Sequence, residues 1–238
     1  MDPDEISRLV NDLKLYHNDP NDTINLEEED IKIEEERLLR CLVAKVLSPK
    51  AINRDAFRQQ MPRVLQSEKR IIIEATGDNT FVFEFLSLRD RARALSEGPW
   101  HFSRNLVIFK EPTGWNNPRS MIFDEIPIWV QLHNVPIALM HEDLLLKLGG
   151  KIGSVVEIDK GENGACLGRF ARIRVRINTM QPLRKCIRIN AMRDEEDLYI
   201  LLVYERLPDF CYACGRLGHS HRECDDSMAD KVNLNFGA

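Results

Sequence analysis

Residues 71–86 read IIIEATGDNTFVFEFL, which is two apolar stretches on either side of a polar turn. In the second stretch Phe81, Phe83 and Phe85 alternate with other residues, so a β-strand would place all three rings on one face. Residues 77–79 are Gly, Asp and Asn, which accept the backbone conformations of tight turns. The segment therefore predicts two strands joined by a turn, with an aromatic face directed into a hydrophobic core.

The segments on both sides of this pair extend the pattern. Asn53 and Ser87 each precede a stretch of helical periodicity, and both residue types are favoured N-caps because they accept backbone N–H bonds. The expected elements are a strand at Leu38–Leu47, which would also suit a helix, a helix at Asn53–Leu65, strands at Arg70–Ala75 and Thr80–Leu86, a helix at Ser87–Ser96 and a strand at Leu106–Lys110. This β-α-β-β-α-β order predicts an α+β, ferredoxin-like fold of the RNA-recognition type, with two helices on a four-stranded antiparallel sheet.

After a loop rich in proline and asparagine, a second lobe begins that is richer in strands. The predicted strands are Ile128–Leu132, Ser154–Ile158, Arg172–Ile177, Cys186–Ile189 and Tyr199–Tyr204, with one helix at Glu142–Leu148. We expect a smaller β-rich lobe packed against the first. The predicted organisation is a disordered acidic arm (1–36), an RNA-recognition-like α+β domain (37–118), a β-rich basic lobe (119–207), a zinc knuckle (208–226) and a disordered tail (227–238).

The charge of the chain is unevenly distributed. The net charge over 238 residues is −5, but residues 1–36 contain 13 acidic and 3 basic residues. The other 202 residues therefore carry 30 basic residues against 25 acidic ones. This mildly basic remainder is compatible with a polyanionic partner, although the pI of the whole chain, near 5.8, would argue against one.

The stretch from Cys211 to Cys224 has the form Cys-x2-Cys-x4-His-x4-Cys. Three thiolates and one imidazole satisfy the tetrahedral preference of Zn²⁺, and the short first spacing lets both sulfurs reach one ion. The predicted ligands are Cys211, Cys214, His219 and Cys224. His221 in place of His219 would give spacings that fit no common knuckle. Four protein ligands leave no open coordination position, so the sequence predicts one structural zinc ion.

Residues between the ligands are suited to contact nucleic acid. We expect Tyr212 and Leu217 to form a stacking surface for unpaired bases, flanked by the guanidinium groups of Arg216 and Arg222. The alternative is a knuckle that contacts protein.

A second basic feature covers residues 169–193, which contain eight positive charges and no acidic residue. Arg172, Arg174 and Arg176 alternate with aliphatic residues, so a strand would place the three arginines on one face. The predicted phosphate contacts are Arg172, Arg174, Arg176, Arg184, Lys185 and Arg188. The alternative is that Glu157 and Asp159, or the acidic arm, neutralise the arginine face.

The sequence contains no phosphate loop, no His-Glu-x-x-His helix and no Gly-x-Ser-x-Gly elbow, so we expect neither an enzyme nor a small-molecule substrate. Residues 149–153 are interpreted as a helix stop.

No apolar stretch approaches the roughly 18 residues of a membrane helix, and residues 1–10 lack the apolar run of a signal peptide. Cysteines at metal-ligand spacing favour a reducing compartment, so we expect an intracellular protein of the nucleus or cytoplasm.

From about Leu38 to Cys224 the chain resembles a plant protein family in which a domain of unknown function precedes a Cys-x2-Cys-x4-His-x4-Cys zinc knuckle. That family is related to the first-reading-frame proteins of LINE-type retrotransposons. The stretches that carry the resemblance are Gly98–Trp100, Ile128–Pro136, Gly149–Gly153, Pro182–Arg184 and Tyr204–Cys211. The resemblance implies an RNA-recognition-like fold and nucleic-acid binding, as the packaging protein of a mobile element or a domesticated copy of it.

The chain departs from RNA-recognition modules at the stacking positions of their central strands. Thr80 and Val82 hold these positions in the first lobe, and arginines hold them in the second, so we expect the first lobe to be a scaffold. The predicted function is binding of single-stranded RNA or DNA, with a homo-oligomer left open. The rival prediction is a protein-interaction scaffold that uses the knuckle and the β-rich lobe.

Overall fold

The computed structural model describes residues 8, 36–112, 117–161, 166, 168–190, 197–207 and 210–224. The predicted acidic arm, apart from residues 8 and 36, and the predicted tail lie outside these residues. None of the helices in the described part of the chain has the length and apolar composition needed to cross a bilayer.

The first lobe has the predicted β-α-β-β-α-β order. Its elements are β1 (Cys41–Leu47), α1 (Arg54–Val64), β2 (Ile71–Gly77), β3 (Thr80–Phe85), α2 (Leu88–Ser96), β4 (Trp100–Phe102) and β5 (Asn105–Lys110). The strands form one antiparallel sheet in the order β2-β3-β1-β5-β4. The predicted α+β class is therefore confirmed, and the strand predicted at Leu38–Leu47 is present over Cys41–Leu47, whereas Leu38 lies in a helical turn.

Both predicted helix caps are present, and both helices cover an aromatic core. The side chain of Asn53 accepts bonds from the first turn of α1, and Ser87 accepts one from Asp90. All three phenylalanines of β3 are buried, as predicted. The ring of Phe57 on α1 stacks on Phe81 at a centroid distance of 4.2 Å. These rings fix the helices to one face of the sheet, since offset aromatic pairs add to the free energy of burial.

The sheet has five strands instead of the predicted four, because β4 forms a tight hairpin with β5. Ser103 and Arg104 connect the two strands with φ angles of +48° and +68°. Two residues with positive φ form the hairpin turn whose twist matches that of antiparallel strands. A three-residue strand beside the Gly98-Pro99 break is too short for periodicity to reveal it.

The second lobe contains β6 (Glu125–His133), α3 (Glu142–Gly149), β7 (Ser154–Ile158), β8 (Ala171–Asn178), β9 (Cys186–Ile189) and β10 (Leu198–Tyr204). Its sheet order is β7-β8-β6-β10-β9. Position by position, this is the order of the first sheet. The sheet of this β-rich lobe has as many strands as the first, and no second helix is present among the described residues of the lobe.

Residues 179–185 occupy the place in the chain where the first lobe has α2. They contain Pro182, which has no backbone N–H, and the N–H of Leu183 donates to Gly215 in the knuckle at 2.9 Å. This segment therefore forms a contact with the knuckle instead of a helix.

The face of the first sheet opposite its helices is not open to solvent at its centre. Val43, Leu106 and Ile108 on that face belong to the same buried cluster as Phe123, which precedes β6, and Leu217 of the knuckle. The position that RNA-recognition modules use for stacking is thus closed in the first lobe, in line with the expected scaffold role.

Candidate metal centre and nucleic-acid interface

The knuckle begins with a tight turn that brings the first two cysteines together. The N–H of Cys211 donates to the carbonyl of Arg216 at 2.9 Å, and the N–H of Gly215 donates to the carbonyl of Cys211 at 2.7 Å. Gly215 has a φ of +75°, a conformation that side-chain-bearing residues adopt only with strain. The turn therefore depends on glycine at this position.

The four predicted ligands converge. The ligand atoms of Cys211, Cys214, His219 and Cys224 all lie within 4.8 Å of one another. The Sγ of Cys214 and the Nε2 of His219 are 3.4 Å apart. Tetrahedral zinc with ordinary Zn–S and Zn–N bonds would separate such a pair by about 3.6 Å. The donor set and its spacing therefore fit a closed tetrahedral site for a metal ion of the zinc type.

The protonation of the cysteines explains what a dication contributes here. Burial acts to raise the pKa of Cys211, but backbone N–H groups of Cys214 and Ala213 outweigh it and hold that pKa below its ordinary value. Burial, together with the neighbouring sulfurs of Cys211 and Cys224, raises the pKa of Cys214 to about 11. Adjacent thiolates repel each other, so the thiols need a bound cation to lose their protons together.

The knuckle packs on the lobes instead of projecting from them. Leu217 is only 6% exposed and belongs to the cluster of the second lobe. A Cβ at Gly218 would lie 3.5 Å from the side chain of Leu47, and Lys50 forms an ion pair with Glu223. The hydrogen bond with Lys50 is the main reason why the pKa of Glu223 falls to about 2. The prediction that Leu217 stacks with bases is corrected, because docking of the knuckle buries this side chain.

The other three predicted contacts on the knuckle are accessible. Tyr212 is 51% exposed, and its ring lies 4.7 Å from that of Phe210. Arg216 and Arg222 are exposed. The structure thus places one free aromatic face and two guanidinium groups around the metal site.

The arginine strand has the predicted alternation, but its first member is neutralised. Arg172 donates to Glu205 at 2.8 and 2.9 Å and to Asp159 at 3.0 Å. These bonds raise the pKa of Arg172 and lower that of Glu205. The guanidinium also lies 4.0 Å from the centre of the Trp129 ring. Arg172 therefore covers the Trp129 ring, and its bond to Asp159 agrees with the alternative that Asp159 neutralises part of the arginine face.

Arg174 is occupied by the first lobe. It donates to the carbonyl of Ser96 at the end of α2, and Arg206 donates to the carbonyl of Glu97 at 2.9 Å. Carbonyls at the end of a helix lack intrahelical partners and carry partial negative charge, so they attract cations. Burial lowers the pKa of Arg174. The expected phosphate contact at Arg174 is corrected, because this side chain joins the two lobes.

The remaining basic candidates lie on the surface. Arg176, Arg184, Lys185 and Arg188 are all exposed. Arg188 forms an ion pair with Asp197. The basic segment therefore divides into Arg172 and Arg174, whose guanidinium groups are bonded within the protein, and an exposed part from Arg176 to Arg188.

Several residues that shape this face were not predicted. Trp129 pairs across the sheet with Arg174, and Gln131 pairs with Arg172 and donates to Glu205 at 2.9 Å. The alternation of Ile128–Leu132 was available as a signal, since it places both side chains on one face. On the neighbouring β10, the side chains of Tyr199, Leu201 and Val203 form an exposed apolar stripe.

Residues 34–114 match the family described as "Domain of unknown function (DUF4283)". Residues 177–226 match the family described as "Zinc knuckle". The second match starts at the end of β8, so it includes the segment that contacts the knuckle as well as the knuckle.

A curated relative is the Arabidopsis thaliana protein named "Uncharacterized protein At4g02000". It is 26% identical over 136 residues, which are 57% of this chain and 42% of that protein. The aligned stretch thus spans less than half of the relative's length.

Two solved structures are similar over 57% of this chain. They are the first two RRM domains of the yeast poly(U)-binding protein Pub1, at 15% identity over 82% of that chain, and RNA recognition domains 1 and 2 of Drosophila melanogaster Sex-lethal, at 16% identity over 85%. Both have a TM-score of 0.24. The assignment of the fold rests on the strand order described above.

Proposed function

We propose that this protein binds nucleic acid, that the bound form is single-stranded RNA or DNA, and that the protein is not an enzyme. The observation that carries the proposal is the surroundings of the metal site. Four convergent protein ligands fill a tetrahedral centre, and beside them stand the exposed Tyr212, Arg216 and Arg222. A filled centre has no position for a substrate, whereas an exposed aromatic ring and two exposed guanidinium groups in one short loop are suited to bind a base and its phosphate.

The preference for single strands follows from the charge and shape of the knuckle. Zn²⁺ with three thiolates has a charge of about −1, which Arg216, Arg222 and Glu223 together bring close to zero. A near-neutral knuckle has little attraction for a duplex backbone. Stacking on Tyr212 requires a base that is unpaired and accessible.

Zinc would have a structural role here. One ion per chain, held by the four converged residues, would cross-link a loop that has almost no apolar core of its own. Because Leu217 lies among core residues of the second lobe, we expect the metal also to hold the knuckle in place on that lobe.

The proposal also covers the origin of the protein and its location in the cell. We propose a retrotransposon-related origin, supported by the resemblance of the chain to that plant family and by matches to a DUF4283 domain and a zinc knuckle in the same order. We propose an intracellular location, in the nucleus or cytoplasm. The support for this location is the arrangement of Cys211, Cys214 and Cys224 with His219 at metal-ligand spacing, which is typical of proteins in a reducing compartment.

The test is a binding titration of the zinc-loaded chain against single-stranded RNA, single-stranded DNA and duplex of one sequence. We expect Tyr212→Ala to weaken single-strand binding by about 1 to 3 kcal/mol, the usual contribution of a stacked base. Tyr199→Ala is the matched control, since Tyr199 is 48% exposed but lies on β10, outside the segment that contains the metal ligands. Absence of binding by the parent chain would reject the proposal, as would metal analysis that finds no zinc.

A second candidate, a protein-interaction scaffold, is favoured by the stripe of Tyr199, Leu201 and Val203. Three adjacent apolar side chains that are about half exposed on a sheet face are a common feature of protein contacts. This reading also leaves open a homo-oligomer. It predicts that Leu201→Glu reduces self-association or partner capture, while Tyr212→Ala has no effect on nucleic acid.

A further inference from the structure

We propose that the backbone of a bound strand runs from the knuckle into a cleft of the second lobe, where Arg176 and Arg184 hold its phosphates. This inference rests on the proposed function and extends it by naming the path. It departs from the sequence prediction, which placed the phosphates on the strand face of Arg172, Arg174 and Arg176 as well as on Arg184, Lys185 and Arg188.

The first step is the elimination of the arginines on the sheet face. Arg172 already has two carboxylate partners, and Arg174 is bonded to α2 of the first lobe. A phosphate would have to displace these partners, at the cost of leaving Glu205 as a partly buried, unpaired charge. Among the described residues, neither Arg176 nor Arg184 forms an ion pair, so both charges remain available to a ligand.

The second step is the cleft that these two residues line. It has a volume of about 300 Å³ and lies between the end of α3, the end of β8 and the segment before β9. Ser154 pairs directly with Arg176 across the sheet, so the two side chains lie on the same face. Asn178 and Gln181 add side-chain amides to the lining. The cleft is therefore open, polar and cationic, as a phosphate site must be.

The glycines at the end of α3 shape the wall of the cleft but do not themselves bind an anion. A Cβ at Gly153 would lie 2.1 Å from the carbonyl oxygen of Arg176, so only glycine permits this approach of the turn to β8. The N–H groups of Lys151, Ile152 and Gly153 all donate to carbonyls at the end of the helix. The phosphates must therefore be held by side chains.

The third step is the continuity between the cleft and the knuckle. The hydrogen bond from Leu183 to the carbonyl of Gly215 joins the two segments at 2.9 Å. Arg184 follows the donor in sequence, and Arg216 follows the acceptor. The two basic features that are separated in sequence thus have adjacent backbones, and we infer that Arg176, Arg184 and Arg216 lie along one path that leads to the exposed ring of Tyr212.

One acidic residue opposes this path. Glu125 lines the same cleft and pairs across the sheet with Asn178. Because its carboxylate repels a phosphate held nearby, we expect Glu125→Gln to bind single strands more tightly than the parent chain. The direction of this effect is opposite to that of every arginine substitution, which makes it an independent test of the path.

The main experiment measures the salt dependence of binding to a mixed-sequence single-stranded oligonucleotide, using the full zinc-loaded chain. The double variant Arg176→Gln, Arg184→Gln should lose two phosphate contacts, which flattens the slope of log K against log salt by about 1.4 and weakens binding roughly 25-fold at 0.1 M salt. The loss should be equal for all sequences, since phosphates carry no sequence information.

The matched control is Arg63→Gln, Arg70→Gln, which removes the same charge from two exposed arginines of the first lobe. It should leave the slope unchanged, and Arg176→Lys with Arg184→Lys should restore the slope of the double variant. Thermal unfolding of each variant checks that the fold is intact. If the double variant had the same salt slope as the control variant, the proposed path would be wrong. Binding of single strands by the parent chain would still support the proposed function in that case. A parent chain that binds no single strand would reject both.

Discussion

The two sheets share one strand order, yet their open faces differ. In the first lobe the face opposite the helices is buried, with Val43, Leu106 and Ile108 inside the cluster that also contains Leu217. In the second lobe the corresponding face is exposed at the stripe of β10 and at Arg176, and half-buried at Arg172 and Arg174 of β8. The same topology thus has a buried packing face in the first lobe and an accessible face in the second. Topology alone therefore does not determine which lobe binds a ligand.

The element that differs between the lobes is the second helix. In the first lobe α2 covers the sheet, and Trp100 donates its indole N–H to the carbonyl of Ala94 in that helix at 2.8 Å. In the second lobe residues 179–185 replace the helix and contact the knuckle instead. The segment that takes the place of the helix in the second lobe is therefore the segment on which the knuckle docks.

The largest effect is expected in the aromatic core of the first lobe. Phe83→Ala should lower the free energy of unfolding by about 3 to 5 kcal/mol, because Phe83 is fully buried between two helices and the sheet. Denaturant titration provides the measurement. The assignment of the faces would be reversed if the variant kept its stability and lost affinity for nucleic acid.

A matched pair of leucines tests the contrast between the two open faces directly. Leu106→Ala on β5 should cost about 2 to 5 kcal/mol, because this side chain is 1% exposed. Leu201→Ala on β10, the corresponding strand, removes a side chain that is 53% exposed and should change stability by less than about 0.5 kcal/mol. Equal costs in denaturant titrations would mean that the second face is also covered.

A smaller effect than that of either core truncation is expected at the ion pair on the second face. Glu205→Gln should cost about 1 to 3 kcal/mol at neutral pH, since it removes charge-assisted bonds to Arg172. The folded pKa of Glu205 is lowered, so its contribution is complete above the ordinary glutamate pKa of about 4.3 and is lost as the pH falls through the lowered value.

Thermal unfolding across this pH range should therefore show the difference between the parent and Glu205→Gln at pH 7 and its disappearance in acid. Glu157→Gln is the control, because Glu157 is exposed on the edge strand β7 and should give a small difference. If the difference in thermal stability between the parent and Glu205→Gln stayed the same in acid, the pair would contribute packing instead of charge.

The local part of the fold was predictable from the sequence, because it depends on periodicity and caps. Asn53, Ser87 and the phenylalanines of β3 fixed the elements of the first lobe within a few residues, and the spacing of the cysteines identified the cluster that converges. The burial of Leu217 was not predictable, since it depends on docking of the knuckle on segments far away in sequence. The partners of Arg172 and Arg174 likewise come from Glu205 and Ser96, 33 and 78 residues away.

The hydrogen bond between Leu183 and Gly215 has a consequence for binding thermodynamics. A knuckle on a free tether samples many positions, so its contribution is limited by the effective concentration that the tether allows. A knuckle tied to the second lobe at this bond and anchored by Leu217 presents its aromatic ring and the neighbouring guanidinium groups in one preset geometry. A strand that contacts both then loses less conformational entropy at the second contact, because the distance between the contacts is already set by the fold.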